Sequence, residues 1–106
     1  MKKMLRSQLV LAAAVVLAGV MCFAQDGAAT YKAKCAMCHG PTGTPSAGMA
    51  KAMGVKPASD PSVKSISEAQ MITDTTNGKG KMPAFKGKLS DAEIKVSVDY
   101  FRTFAK

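Results

Sequence analysis

The chain contains no tryptophan and a single histidine, and its acidic residues are outnumbered, 7 Asp+Glu against 15 Lys+Arg in 106 residues. One histidine excludes any metal centre held by two imidazoles. The three cysteines include no second C-x-x-C pair, so the four ligands of a structural zinc site cannot be assembled. No stretch alternates apolar and polar residues as a strand would, which excludes the βαβ setting of a thioredoxin-like redox pair. No internal repeat is present. The apolar run over residues 9–21 is shorter than the roughly 18–20 residues a membrane-spanning helix needs.

That apolar run follows Lys2, Lys3 and Arg6 and ends at Cys22-Phe23-Ala24, just before polar Gln25-Asp26. A basic start, a short apolar stretch and a small-residue exit read as a secretory signal over residues 1–24. Lipidation at Cys22 is disfavoured, because Val20-Met21 stand where a small residue is expected. Cleavage after Ala24 would release residues 25–106 to the periplasm or another exported location, with no stable membrane insertion. Retention of the segment as an anchor is the other reading.

The remaining domain is basic, and its only aromatics are Tyr31, Phe85, Tyr100, Phe101 and Phe104. A core this small needs a staple such as a metal, a disulfide or another bound group. Helices are predicted over 26–38, as a short turn over 48–55, over 65–76, and from Ser90 to the end. Ser65-x-x-Glu68 and Ser90-x-x-Glu93 have the form of capping boxes. In the last helix Ile94, Val98, Phe101 and Ala105 make an apolar stripe, widened by Tyr100 and Phe104. Segments 40–46, 56–64 and 78–88, rich in Gly and Pro, read as loops. The fold class is all-α, with three to five short helices and long loops.

Cys35-Ala36-Met37-Cys38-His39 is C-x-x-C-H, the attachment signature of a c-type haem. Thiols three positions apart face one side of a helical turn, where each can form a thioether to a different haem vinyl group. His39 then offers an imidazole nitrogen to the iron. One covalently bound haem c would also fill the missing core. A disulfide between Cys35 and Cys38 would be strained.

For the other axial position the candidates are Met37, Met49, Met53, Met71, Met82, a lysine, or no ligand. Met37 lies within the attachment motif, and Met49, Met53 and Met71 fall in helical segments where Met usually fills core. Met82 lies in Gly78-Lys-Gly-Lys-Met82-Pro83-Ala-Phe85, a flexible loop stiffened by proline just after the thioether. Met82 is the expected ligand.

In the order of these features the chain resembles a small class I bacterial cytochrome c. The resemblance runs from the Gly27/Tyr31 helix through C-x-x-C-H and the Met-Pro-x-Phe loop to the aromatic last helix. It implies haem on Cys35 and Cys38, axial ligation by His39 and Met82, and support from Pro83, Phe85 and Tyr100. It also implies that Gly27 and Tyr31 cross the last helix near Tyr100. A proline carbonyl after the motif would accept from the histidine ring; Pro41 and Pro45 compete, with Pro45 favoured. Two departures stand out. Without Trp, the tryptophan contact to a haem propionate is missing, and the connection from His39 to Met82 is short, exposing more of one haem edge.

The resemblance implies a soluble one-electron carrier and no bond-making enzyme. Lys79, Lys81, Lys86 and Lys88 flank Met82 and would steer a monomer to redox proteins with acidic docking surfaces, not to nucleic acid. Two rival readings remain: a haem peroxidase or gas sensor with a labile sixth ligand, and a dedicated subunit of a dehydrogenase or oxidase.

Overall fold

A computed structural model describes residues 26–105. The expected secretory segment and its cleavage point lie outside the described residues. Six helical segments occur in order: α1 Gly27–Lys34, α2 Ala36–His39, α3 Ala47–Met53, α4 Pro61–Lys64, α5 Glu68–Asn77 and α6 Asp91–Arg102. Two of these are four-residue turns. Among the described residues there is no strand, only two isolated bridges in the loop between α5 and α6. No helix among them is long and apolar enough to cross a membrane.

Short polar side chains set where these helices begin. Asp26, Ser46, Asp60, Ser67 and Ser90 each accept a hydrogen bond from a backbone N–H of the first turn. Such a cap satisfies one of the donors a helix start leaves orphaned and is worth about 1 kcal/mol. At α6 the expected capping box is complete: Glu93 N–H donates to the Ser90 hydroxyl at 3.1 Å and Ser90 N–H to the Glu93 carboxylate at 3.0 Å.

Several helix limits differ from the sequence expectation: α4 forms inside the 56–64 segment expected to be a loop, α3 runs over Ala47–Met53 and not 48–55, and the last helix ends at Arg102, leaving Ala105 beyond it. The middle helix is capped by Ser67, not Ser65. Pro61 starts α4 behind the Asp60 cap, which leaves Ser65 as the C-cap of that turn, its hydroxyl donating to the Ser62 carbonyl at 3.0 Å. A residue already closing one helix cannot supply the extended backbone that starts the next; Ser67, at φ −68° and ψ 157°, does. The first helix is broken at Cys35, where φ is −117°. Beyond it Cys38 N–H and His39 N–H both turn back to the Cys35 carbonyl, at 3.2 and 3.0 Å.

The apolar stripe of α6 builds two clusters. Ile94 and Val98 pack with Met71 and Leu89, and Val63, Ile66, Ile72, Phe85 and Phe101 close around them. Ile94 is wholly buried, and burial of such a side chain is worth about 2 kcal/mol. On the other side α1 crosses α6. Gly27 meets Val96 so closely that a Cβ there would overlap the Val96 carbonyl oxygen, so the crossing needs glycine. One turn on, the buried Tyr31 ring lies 5.3 Å from Tyr100, 6.2 Å from Phe101 and 5.8 Å from Phe104.

Candidate functional site: a haem-attachment turn and a methionine loop

Because α1 packs on α6, the chain leaves it beside the aromatic cluster, and the C-x-x-C-H residues form the next turn. Cys35 N–H donates to the Tyr31 carbonyl at 2.8 Å, and Gly40 N–H ends α2 on the Ala36 carbonyl at 2.8 Å. Cys35 and Cys38 are half-buried free thiols. Burial, and then the neighbouring Cys38, push the Cys35 thiol above its ordinary pKa.

His39 is half-buried, with its ring edge-on to Phe101 at a centroid distance of 5.1 Å. Burial lowers its pKa and so favours the neutral imidazole, the form that can bind a metal. Its Nδ1 is buried and has no hydrogen-bond partner. Two free thiols on one turn, followed by an imidazole that burial keeps in its neutral form, fit a covalently attached haem.

Gly40 then leaves the helix at φ +81°, a conformation that favours glycine, and turns the chain so that Thr44 and Pro45 fold back onto it. Its carbonyl accepts from the Tyr31 hydroxyl at 2.6 Å. Burial pushes the Tyr31 phenol up to about 12. Sequence reasoning placed Tyr31 in the helix crossing but did not foresee this bond, since nothing in local spacing links residues 31 and 40.

Met82 lies in a second loop. Lys79 N–H donates to the Met82 carbonyl at 3.1 Å, and Met82 N–H to the Lys79 carbonyl at 3.0 Å, closing a tight turn. Beyond Pro83 the chain is strapped to the end of α5: Phe85 N–H reaches the Thr75 carbonyl at 3.0 Å and Lys86 N–H the Thr76 carbonyl at 3.1 Å. Phe85 thereby packs against the core around Ile94. Lys81 donates to the Ala52 carbonyl in the last turn of α3 at 2.9 Å, a contact the sequence reading also missed.

Met82 is half-buried and Pro83 exposed, while Pro45 and Tyr100 are half-buried. The other methionines follow their helical assignment: Met71 is core, and Met49 and Met53 lie half-buried on α3. Met37 is 83% exposed.

Comparison with known proteins agrees with this geometry. Residues 23–101 match the family described as cytochrome C oxidase, cbb3-type, subunit III. The chain is similar to a cytochrome c6 of Picosynechococcus sp. (strain ATCC 27264 / PCC 7002 / PR-6), 42% identical over 106 residues, covering 89% of this chain and 86% of the relative. It is also similar to a cytochrome c6 of Leptolyngbya boryana, 44% identical over 71 residues, covering 67% of this chain and 80% of the relative. Among solved structures the KustC0563 c-type cytochrome superposes with a TM-score of 0.69 at 30% identity, covering 76% of this chain and 99% of that one. Covalent haem c goes with this family, and the C-x-x-C-H turn is the place for it. By the extent of these matches and by its attachment turn, the chain belongs to the c-type cytochromes.

Proposed function

We propose that the protein is an exported one-electron carrier in which His39 and Met82 are the axial ligands of a haem held by Cys35 and Cys38. The observation that carries this reading is the turn from Cys35 to His39, where two free thiols three positions apart are followed directly by a half-buried imidazole. When bound, the haem supplies a one-electron iron couple, which soft thioether ligation biases toward the reduced state. His39 and Met82 leave no open position for a substrate. The Met82 loop, closed on itself and strapped to α5, favours keeping the same ligand in both oxidation states.

Pro45, on the loop folded back onto Gly40, would supply the carbonyl for His39 Nδ1–H, a bond this structure does not form. Pro83 stiffens the loop after Met82, Phe85 anchors that loop in the core, and Tyr100 walls the attachment side. Residues 1–24 direct export and are removed after Ala24, leaving a monomer in the periplasm or an equivalent compartment. The exposed Lys79, Lys81, Lys86 and Lys88 form a basic rim for partners with acidic docking surfaces.

Absorption spectroscopy tests the ligand set. The oxidised protein should show the weak methionine-to-iron charge-transfer band, and Met82→Ala should abolish it. Ready binding of carbon monoxide by the reduced wild-type protein would overturn the assignment in favour of a gas sensor or peroxidase. A haem-stained, mass-checked periplasmic preparation tests the single haem and the cleavage site together.

A further inference from the structure

Three elements meet at Gly40. Its N–H closes α2 on Ala36, and its carbonyl accepts from Gly43 N–H at 3.3 Å and from the Tyr31 hydroxyl at 2.6 Å. A Cβ on Gly40 would overlap the Thr44 carbonyl oxygen and stand 3.3 Å from Pro45 N, so the 43–45 backbone is folded directly onto the residue after His39. The Nδ1 of the preceding residue, His39, is buried without a partner, and a buried polar group of this kind calls for one.

The Tyr31 ring packs on Phe101, and Phe101 packs on His39. A phenylalanine could fill the same space against Tyr100, Phe101 and Phe104. The hydroxyl is therefore not explained by packing, and buried without a partner it would be destabilising. It donates to the Gly40 carbonyl, which orients the loop beside the imidazole, and also meets the Gly43 backbone.

We propose that Tyr31 is a positioning residue for His39: by donating to the Gly40 carbonyl, its hydroxyl fixes the 40–45 loop from which an acceptor would reach His39 Nδ1–H in the haem-bound protein. This rests on the reading of His39 as axial ligand. A histidine whose second nitrogen is firmly hydrogen-bonded is a stronger donor and a better-oriented ligand. The latch thus acts on the imidazole through its neighbour Gly40.

The test uses the haem-loaded protein with Tyr31→Phe and Tyr31→4-aminophenylalanine. The readout is solvent exchange of the His39 Nδ1–H proton, followed by NMR in the reduced state. The phenylalanine variant should exchange about five- to tenfold faster, the factor expected for one hydrogen bond. Its reduction potential should move upward as the imidazole becomes a poorer donor. The 4-aminophenylalanine variant restores a donor at the ring's far end and should return exchange toward the wild-type rate.

Unchanged exchange in Tyr31→Phe, even with a lower melting temperature, would overturn the latch and leave Tyr31 a core residue. Failure of the amine to slow exchange would do the same. A wild-type His39 ring without the large ring-current shifts of an axial ligand would overturn the ligand reading itself, and is distinguished from the other two results before any variant is made.

Discussion

Lys81 Nζ donates to the Ala52 carbonyl at 2.9 Å, joining the residue before Met82 to the last turn of a helix 29 positions earlier. A lysine at a helix C-terminus satisfies an orphan carbonyl and complements the negative end of the helix dipole. Its consequence is for the loop: Met82 is held from α3 through Lys81 and from α5 through Phe85 and Lys86.

Loss of this clasp should loosen Met82 more than it destabilises the fold. In Lys81→Gln the methionine-to-iron band is expected to persist, but added imidazole should displace Met82 about fivefold more readily, the factor of one exposed charge-assisted bond near 1 kcal/mol. Lys81→Arg should restore most of the resistance. Titration of the oxidised protein with imidazole checks this, and equal affinities in wild type and Lys81→Gln would show that the clasp does not restrain the ligand.

Gly27→Ala should act on the helix crossing. The new methyl group overlaps the Val96 carbonyl, and backbone cannot rotate away as a side chain can. The expected cost is about 2 kcal/mol, which for a domain of this size lowers the melting temperature by roughly 10 °C. Calorimetry on the haem-loaded protein measures it. A shift within a degree or two of wild type would mean that α1 slides freely on α6.

The Tyr31 phenol sets an alkaline limit. Its pKa rises from 10.0 to about 12 in the fold, so folding favours the protonated form. The corresponding stability is fully present below pH 10, the unfolded value, and is lost as pH rises through about 12. Unfolding free energy measured against pH should therefore fall more steeply between these values in wild type than in Tyr31→Phe. Parallel curves would show that Tyr31 ionises no later in the fold than in the unfolded chain.

Charge reversal should separate docking from redox chemistry. Lys79, Lys86 and Lys88 are exposed, and a variant with all three changed to Glu should keep its absorption spectrum. Its electron-transfer rate with an acidic partner at low ionic strength should fall by about tenfold or more, and the wild-type decline with added salt should flatten or reverse. Stopped-flow mixing over a range of salt concentrations measures both. An unaltered salt dependence would assign the docking face elsewhere.

Much of this was legible locally. Ser90-x-x-Glu93 is a self-contained capping box, Gly78 stops α5 at the start of a Gly-rich loop, and Cys35, Cys38 and His39 need only the geometry of one helical turn to act together. Each depends on residues within about four positions, where covalent connection and helical periodicity determine the neighbours. The class of the protein, the attachment site and the stripe of α6 therefore follow from the sequence by itself.

The tertiary structure decided what had several local solutions or none. Ser65 and Ser67 are both plausible caps, and only the formation of α4 assigns the first to a helix end and the second to a helix start. Tyr31 and Gly40, and likewise Ala52 and Lys81, meet because the chain folds back upon itself. No periodicity encodes such pairs. The basic domain that lacks tryptophan and has few aromatics identified its missing core through five consecutive residues. How the attachment turn and the Met82 loop are held depended on bonds that exist only once the chain has folded back on itself.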